Sequence, residues 1–246
     1  MSLQYFWLKF VETCPSTNAW ANDHCSELIH GDVVFTRRQT AGRGQGGRVW
    51  LSPAGVLTAS FVLDDMAIPH ITGLSLVTGL AVISAVETLV PQLQNKLQLK
   101  WVNDIWLDCR KVGGILCEVS GERAIVGVGF NLCARFENPE AIGNPISLHE
   151  LVADVPEDVS LLAEMRSELL WKSDNFRRNG LTDFVAEWND RDALRGKKIK
   201  VQLEDQILSG IDMGIDPQGR LQLQTAKEEI HSLITLINGR IIHWES

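Results

Sequence analysis

Between Thr72 and Val90 the chain sets apolar groups on nearly every side of a helix: Leu74, Leu76, Val77, Leu80, Ala81, Ile83, Val86 and Leu89. A helix with no polar stripe cannot lie on a surface. It has to be covered on most faces, which demands packed layers around it and a sizeable core. The run falls short of the roughly 20 residues that a membrane span requires. With 45% hydrophobic and 22% charged residues, the composition is that of a soluble globular chain rather than a disordered one or a coiled coil. A length of 246 residues suits one large domain, or a domain with a small companion.

The segments around that helix read as strands and short helices. Leu3–Glu12 alternates loosely and opens the chain as a strand. Ser16-Thr17-Asn18 offers an N-cap to a helix over AWANDHCSELI, which Gly31 ends before DVVFTRRQ resumes as a strand. Thr40–Gly55 is rich in Gly and Arg, shows no periodicity and reads as a loop, and VLTASFVL follows as a short strand. LQLKWVNDIWL, KVGGILCEVSG and RAIVGVGFNL read as consecutive strands with turns at Asp108-Cys109-Arg110 and Gly121-Glu122. Helices are expected over roughly Leu161–Arg178 and Leu181–Arg191. From Gly196 the texture changes to short alternating runs broken by Gly and by Asp216-Pro217-Gln218-Gly219, the pattern of a small all-β barrel. The expectation is an α+β catalytic domain over 1–193, built on a mixed or antiparallel sheet, and a β-barrel over 194–246. Regular βα alternation is missing, which argues against a doubly wound parallel fold.

A net charge of −8 makes a general affinity for DNA or acidic lipid improbable, so neither nucleic acid nor membrane is expected as a partner. The N-terminal MSLQYFWLKFVET lacks the apolar core and cleavage site of a signal peptide. Cys14, Cys25, Cys109, Cys117 and Cys133 are odd in number and widely spaced, with no CxxC. Reduced thiols in a cytoplasm fit them better than zinc or a disulfide framework.

Gly42-Arg43-Gly44-Gln45-Gly46-Gly47 matches G-x-G-x-x-G to the letter. A dinucleotide fingerprint, however, must end a strand and open a helix. Here Arg48-Val49-Trp50-Leu51-Ser52-Pro53 follows, and the G-K-[ST] of a Walker loop is missing. Glycines still let backbone N–H groups nest around an anion, and Arg43 and Arg48 carry guanidinium forks suited to phosphate or carboxylate. Trp50 can stack on a base or cover a closed site. A flexible surface loop with two solvated arginines is the competing reading. Lys100-Trp101-Val102-Asn103-Asp104 sets polar groups inside a segment that reads as a buried strand, with Lys111 seven residues on. A hairpin turn near 108–110 would bring Asp104 and Lys111 to one end of the sheet, paired with each other as a structural salt bridge or facing a polar ligand. Asn131 reads either as a ligand-facing amide or as a turn residue.

Taken together, these residues resemble the biotin protein ligase (biotin–acetyl-CoA-carboxylase ligase) family. The resemblance rests on Ser16-Thr17-Asn18 and on Gln39-Thr40-Ala41-Gly42-Arg43-Gly44-x-x-Gly47-Arg48-x-Trp50-x-Ser52-Pro53-x-Gly55. It continues through Lys100-Trp101-x-Asn103-Asp104, Lys111-x-Gly113-Gly114-Ile115-Leu116 and Gly127-x-Gly129-x-Asn131, in the family's order and over nearly the whole chain. It implies a class II synthetase-like catalytic domain with a C-terminal SH3-like barrel. The activity implied has two steps. Biotin's carboxylate attacks the α-phosphate of ATP with Mg²⁺ assistance, and a lysine of a biotin carboxyl carrier protein then attacks biotinyl-5′-AMP. By the same resemblance, Ser16, Thr17, Asn18 and Gln39 hold biotin's polar ring atoms. Arg43, Gly44 and Gln45 close over its carboxylate, and Lys111 neutralises charge on the reacting oxygens. Gly113 and Gly114 let the backbone approach the ligand, and Arg48, Trp50, Asn103 and Asn131 contact ATP or the adenylate. Asp104 orients or deprotonates the incoming lysine. Arg43, Lys111 and Asp104 are thus the catalytic candidates, and no protein metal ligand is assigned.

Three positions depart from the family pattern. Gln45 stands where Arg is usual, which implies looser retention of biotinyl-AMP. Val102 stands for Pro, and the strand is expected to survive the change. The C-terminal Gly-Glu…Ser-x-Arg ending is represented by Gly239-Arg240-Ile241-Ile242-His243-Trp244, so an ATP contact from the barrel is not carried over. About fifteen residues precede Ser16, which fits the form that lacks a DNA-binding domain in front. A homodimer is left open. The rival readings are a lipoate or octanoate ligase, which shares the acyl-adenylate logic, and a non-catalytic binding module, which would be expected to lose Arg43, Lys111 or Asp104.

Overall fold

The computed structural model describes residues 5–66, 71–204, 206–227 and 230–245. Two sheets carry the fold. The larger has seven strands, β1 (Leu8–Phe10), β2 (Val33–Thr36), β3 (Val56–Leu63), β4 (Gln98–Lys100), β5 (Asp104–Leu107), β6 (Arg110–Ser120) and β7 (Arg123–Asn131), in the order β1-β2-β3-β7-β6-β5-β4. Only β1 and β2 run parallel; every other pair is antiparallel, so the sheet is mixed. The opening strand is shorter than its sequence pattern suggests, and Leu3 and Gln4 lie outside the described residues.

Each face of this sheet meets a helix. On one side, Val34 of β2, Val62 of β3 and Ile125 of β7 pack with Ala21 of α1 (Thr17–Asp23). On the other, Val33, Phe35, Phe61, Leu57 and Leu63 join the main core, where α2 (Ile71–Leu89) lies against β6 and against α3 (Asp158–Asn179). Strand residues two apart share a face. The uniformly buried VLTASFVL therefore feeds both layers at once. The all-round apolar pattern of α2 is explained in the same way, since Leu74, Leu76, Leu80 and Ile83 are each about 1% exposed. Burying such a side chain contributes roughly 1.5–3 kcal/mol. Gly73 lets α3 approach closely, because a Cβ there would stand 2.6 Å from the Phe176 ring.

The segment LQLKWVNDIWL is not one strand. It doubles back, with Lys100 of β4 paired to Asp104 of β5 and Trp101-Val102-Asn103 forming the turn, in which the Trp101–Val102 peptide is cis. Of the polar groups there, Asn103 lies in the turn while Lys100 and Asp104 flank it at the strand ends, and Val102 sits in that turn instead of continuing a strand.

After α4 (Val185–Arg191) the chain enters β8 (Lys198–Gln202), β9 (Ile207–Ile215), β10 (Leu221–Lys227), β11 (Ile230–Leu236) and β12 (Arg240–Trp244). They form an antiparallel sheet ordered β11-β10-β9-β8-β12, with β11 and β12 at its two edges. Ile199, Val201, Ile215, Leu221 and Leu223 belong to the same core cluster as α2. The indole N–H of Trp101 donates to the Gly219 carbonyl at 3.1 Å. The C-terminal unit is packed onto the larger one rather than tethered to it. No helix among the described residues is long and apolar enough to cross a membrane.

Candidate active site

On the α1 side of the large sheet, two rows of facing residues lie across its middle. One row is Ser60–Gly127–Leu116 and the next is Thr58–Gly129–Gly114, set by the registers of β3, β7 and β6. Three of these six positions are glycine, so the sheet has a depression where side chains would otherwise stand. Above it lies a cavity of about 600 Å³, a size suited to a small-molecule ligand.

One wall is polar and neutral. Gln39 Oε1 accepts from the Thr17 amide at 2.8 Å and lies 3.2 Å from Thr17 Oγ1, while Gln39 Nε2 donates to Ser52 Oγ at 3.2 Å. Ser60 Oγ lies 2.7 Å from Thr17 Oγ1 and 2.5 Å from Asn18 Oδ1. Asn18 Nδ2 donates to the Leu116 carbonyl at 3.1 Å and to Glu118 Oε2 at 2.8 Å. Gly127 is required for this packing, because a Cβ there would meet Asn18 Oδ1 at 2.5 Å. Ser16 is the N-cap residue of α1 but makes no side-chain capping bond; it is buried and lines the cavity instead.

The Gly/Arg segment is an ordered hairpin rather than a structureless loop. Arg43 bridges Val49, the Gly44 amide donates to the Arg48 carbonyl at 2.7 Å, and the Trp50 amide donates to the Gly42 carbonyl at 2.9 Å. Arg43 and Glu118 form an ion pair at 2.8 Å, which ties the hairpin to β6. Arg48 Nε donates to the Gln45 carbonyl at 2.8 Å. Trp50 fills the space over the glycines, since a Cβ on Gly129 would lie 2.4 Å from its indole. Its Nε1 is buried with no hydrogen-bond partner. An orphaned buried donor is costly, and here it marks a position where a ligand acceptor would be satisfied.

The far end is cationic. Lys111 Nζ donates to Asp104 Oδ1 at 2.5 Å and lies 5.4 Å from the Trp50 ring centroid. Lys111 lines the cavity; Asp104 does not, and holds Lys111 from the side. Asn103 Nδ2 donates to the Ile115 carbonyl at 2.8 Å, and Asn131 Nδ2 to the Ile146 carbonyl at 3.0 Å. Each amide thus uses a donor to hold backbone, which fixes the orientation of its oxygen.

All the expected site residues converge here except two. Asp104 stands one residue back, behind Lys111. Gly113 faces away: its Cβ position meets Phe130 and Ile105 on the core side, because neighbouring strand residues point to opposite faces. Gly114 alone of that pair reaches the cavity. The sequence reading missed Gly127 and Gly129 as site glycines, Glu118 as the partner of Arg43 and Asn18, and a wall from Phe136, Ala141, Ile142, Gly143 and Pro145. That wall has no hydrophobic period; Gly143 in the left-handed region and Pro145 were its only sequence signals. Arg240 on β12 also reaches the cavity, so the C-terminal unit contributes to the site after all.

A biotin/lipoate A/B protein ligase family model matches residues 7–131, and a biotin protein ligase C-terminal domain model matches 195–244. Over 96% of its length the chain is 32% identical to the biotin–[acetyl-CoA-carboxylase] ligase of Mycobacterium tuberculosis, covering 88% of that protein. It is 31% identical to the bifunctional ligase/repressor BirA of Escherichia coli over 85% of its own length and 66% of BirA's, so it spans about two thirds of that relative. Among solved structures, the biotin protein ligase of Aquifex aeolicus in complex with biotin and ATP superposes with a TM-score of 0.84 at 26% identity, covering 96% of this chain and 99% of that one. The chain belongs to the biotin protein ligases of the biotin/lipoate A/B protein ligase family.

Proposed function

We propose that this chain activates biotin with ATP and ligates it to a lysine of the biotin carboxyl carrier protein of a biotin-dependent carboxylase. The observation that carries the reading is a single cavity lined both by the uncharged hydrogen-bonding groups of Thr17, Asn18 and Gln39 and by the cations Arg43 and Lys111, with Arg43 held beside Asn18 through Glu118. A uncharged polar ring with a carboxylate tail fits that polarity. Among the described residues no cysteine or histidine lines the cavity. Covalent catalysis by the protein is therefore unsupported, and positioning with charge stabilisation carries the reaction.

In the first step a biotin carboxylate oxygen attacks the α-phosphorus and the bond to the β-phosphate oxygen breaks. Diphosphate leaves and no proton moves. Arg43 and Lys111 are placed to neutralise the crowded oxygens, and Asp104 positions the Lys111 ammonium. Gln45 and Gly44 belong to the hairpin that covers this end, with Arg48, Trp50, Asn103 and Asn131 on the adenylate side. In the second step the carrier amine attacks the acyl carbon, AMP leaves and the attacking nitrogen loses a proton. A free lysine has a pKa near 10.4. Asp104 holds Lys111 through Oδ1 and keeps Oδ2 to orient that amine or accept its proton. Mg²⁺ would enter on the phosphates, since no group of three or more His, Cys, Asp or Glu among the described residues could hold it. The acidic balance supports a ligase acting on protein rather than DNA, and five free thiols suit a reducing cytoplasm.

Incubating the chain with biotin, ATP and an isolated carrier domain should give a streptavidin-reactive carrier. Labelling should vanish when ATP is omitted or the acceptor lysine is changed to arginine. Transfer of lipoate or octanoate in place of biotin would overturn the substrate assignment.

A further inference from the structure

Behind the neutral wall runs a chain of hydrogen bonds whose direction is set from outside the cavity. Glu118 on β6, paired with Arg43, is a carboxylate and only accepts. Its Oε2 takes one proton of the Asn18 amide at 2.8 Å, and the Leu116 carbonyl takes the other at 3.1 Å. Asn18 Oδ1 is thereby turned toward Ser60, so the Ser60 hydroxyl donates to it at 2.5 Å. A hydroxyl has a single proton. The 2.7 Å contact between Ser60 Oγ and Thr17 Oγ1 must then be closed by the Thr17 proton. Gln39 Oε1, 3.2 Å from Thr17 Oγ1, keeps the Thr17 backbone amide as its donor at 2.8 Å. Both hydroxyl protons are thus spent inside the chain. Thr17 and Gln39 present lone pairs to the cavity, beside the one N–H of Gln39 Nε2 that Ser52 does not use. Ser60 is fully buried, and neither it nor Glu118 lines the cavity.

We propose that Ser60 and Glu118 are positioning residues that fix this direction and so make the wall an acceptor of ligand N–H groups, selecting a cyclic urea over a ring or chain that has none. The inference deepens the ligase reading and rests on it for the ligand. A ureido ring brings two N–H donors and one carbonyl, which match the lone pairs of Thr17 and Gln39 and the spare N–H of Gln39. A dithiolane ring or an alkyl chain would leave those buried acceptors unpaired. A site built to hydrogen-bond its substrate rejects such analogues far more strongly than shape alone could. With the chain free to reverse, the Thr17 hydroxyl would turn to the cavity as a donor and the preference would weaken.

The test measures binding of two uncharged ligands to the full chain. One is biotinol, which keeps the ureido ring and lacks the carboxylate. The other is its cyclic-carbonate counterpart, in which oxygens replace the two ureido N–H groups. The unaltered chain should bind biotinol at least about 10²-fold more tightly. Ser60→Ala frees the Thr17 proton and should bring that preference below about tenfold, chiefly through weaker biotinol binding. A role in packing alone would weaken both ligands equally; an unmoved ratio would therefore overturn the proposal, as would an unaltered chain that binds the two alike. Should Ser60→Ala not fold, the same ratio in Glu118→Met, which removes the charged anchor at a partly exposed position, decides by the same criterion. If the preference is found but biotin is not transferred to a carrier, the wall stands and the ligase reading falls. Transfer of biotin with an unmoved ratio keeps the ligase reading and removes the role of Ser60 and Glu118.

Discussion

Gly127 and Asn18 compete for one volume, and the hydrogen-bonded wall exists because the glycine yields it. Gly127→Ala would push a methyl to 2.5 Å from Asn18 Oδ1 and break its contacts with Ser60 and Glu118. Disrupting a buried polar pair costs about 1–3 kcal/mol, so biotin affinity should fall roughly tenfold or more, read by calorimetry; an unchanged affinity would remove this wall from the biotin site. Lys111 makes the complementary prediction. Lys111→Ala should slow adenylation by about 10²–10³ while weakening biotin binding far less, and equal losses in single-turnover and binding measurements would refute a transition-state role. At this scale the sequence was informative about chemistry and poor about direction. Ser16, Thr17, Asn18, Gln39, Arg43 and Lys111 were named as candidates from motif and charge, and all six line the cavity. The fate of Gly113, on the core side beside Gly114 on the ligand side, depends on strand phase, which a broken hairpin conceals.

The element that most needs its own account is the hairpin from Gly42 to Trp50. It covers the cavity with two cross-hairpin bonds and one ion pair to β6, and Gln45 sits at its exposed tip. An arginine at that tip would add a charge-assisted contact to the bound anion. Gln45→Arg should therefore slow release of biotinyl-AMP by roughly tenfold in a chase experiment, whereas an unchanged off-rate would sink the looser-cover idea. The strands β3, β6 and β7 were legible as apolar, β-branched runs bounded by turns, α2 as an apolar run with no polar face, and α3 as a helix closed by Gly180. The 101–103 turn was not, since Trp101 and Val102 are poor turn signals and Trp101 is buried, with its indole bonded to the Gly219 carbonyl of the C-terminal unit. The 136–145 wall escaped for a related reason: loop residues held by tertiary contacts leave no period to read.

Across the whole molecule, the two units share one core and meet at a pair of buried carboxyls. Asp192 follows α4 and Asp212 lies on β9, and each has one carboxyl oxygen buried without a partner. Burial raises both above the ordinary carboxylate range, and the Asp212 charge raises Asp192 further. A carboxyl whose folded pKa exceeds its unfolded value contributes stability that is full below the unfolded value, about 4, and is lost as pH rises through the folded one. Melting temperature should therefore decline from mildly acidic to alkaline pH. Asp212→Asn, which keeps the acceptor for the Gly214 amide, should flatten that decline and gain roughly 2–8 °C at pH about 8.5. Parallel curves for the two proteins would contradict the assignment of the decline to this pair of carboxyls. The change in texture near Gly196 falls between α4 and β8; that Arg240 would reach the cavity was not readable, because only packing brings β12 beside β4. The most direct test of the central claim is exchange of labelled pyrophosphate into ATP, measured with biotin, lipoate or octanoate as the acid. The account predicts exchange with biotin alone, abolished in Lys111→Ala; exchange with lipoate or octanoate instead, or none with any acid, would contradict it.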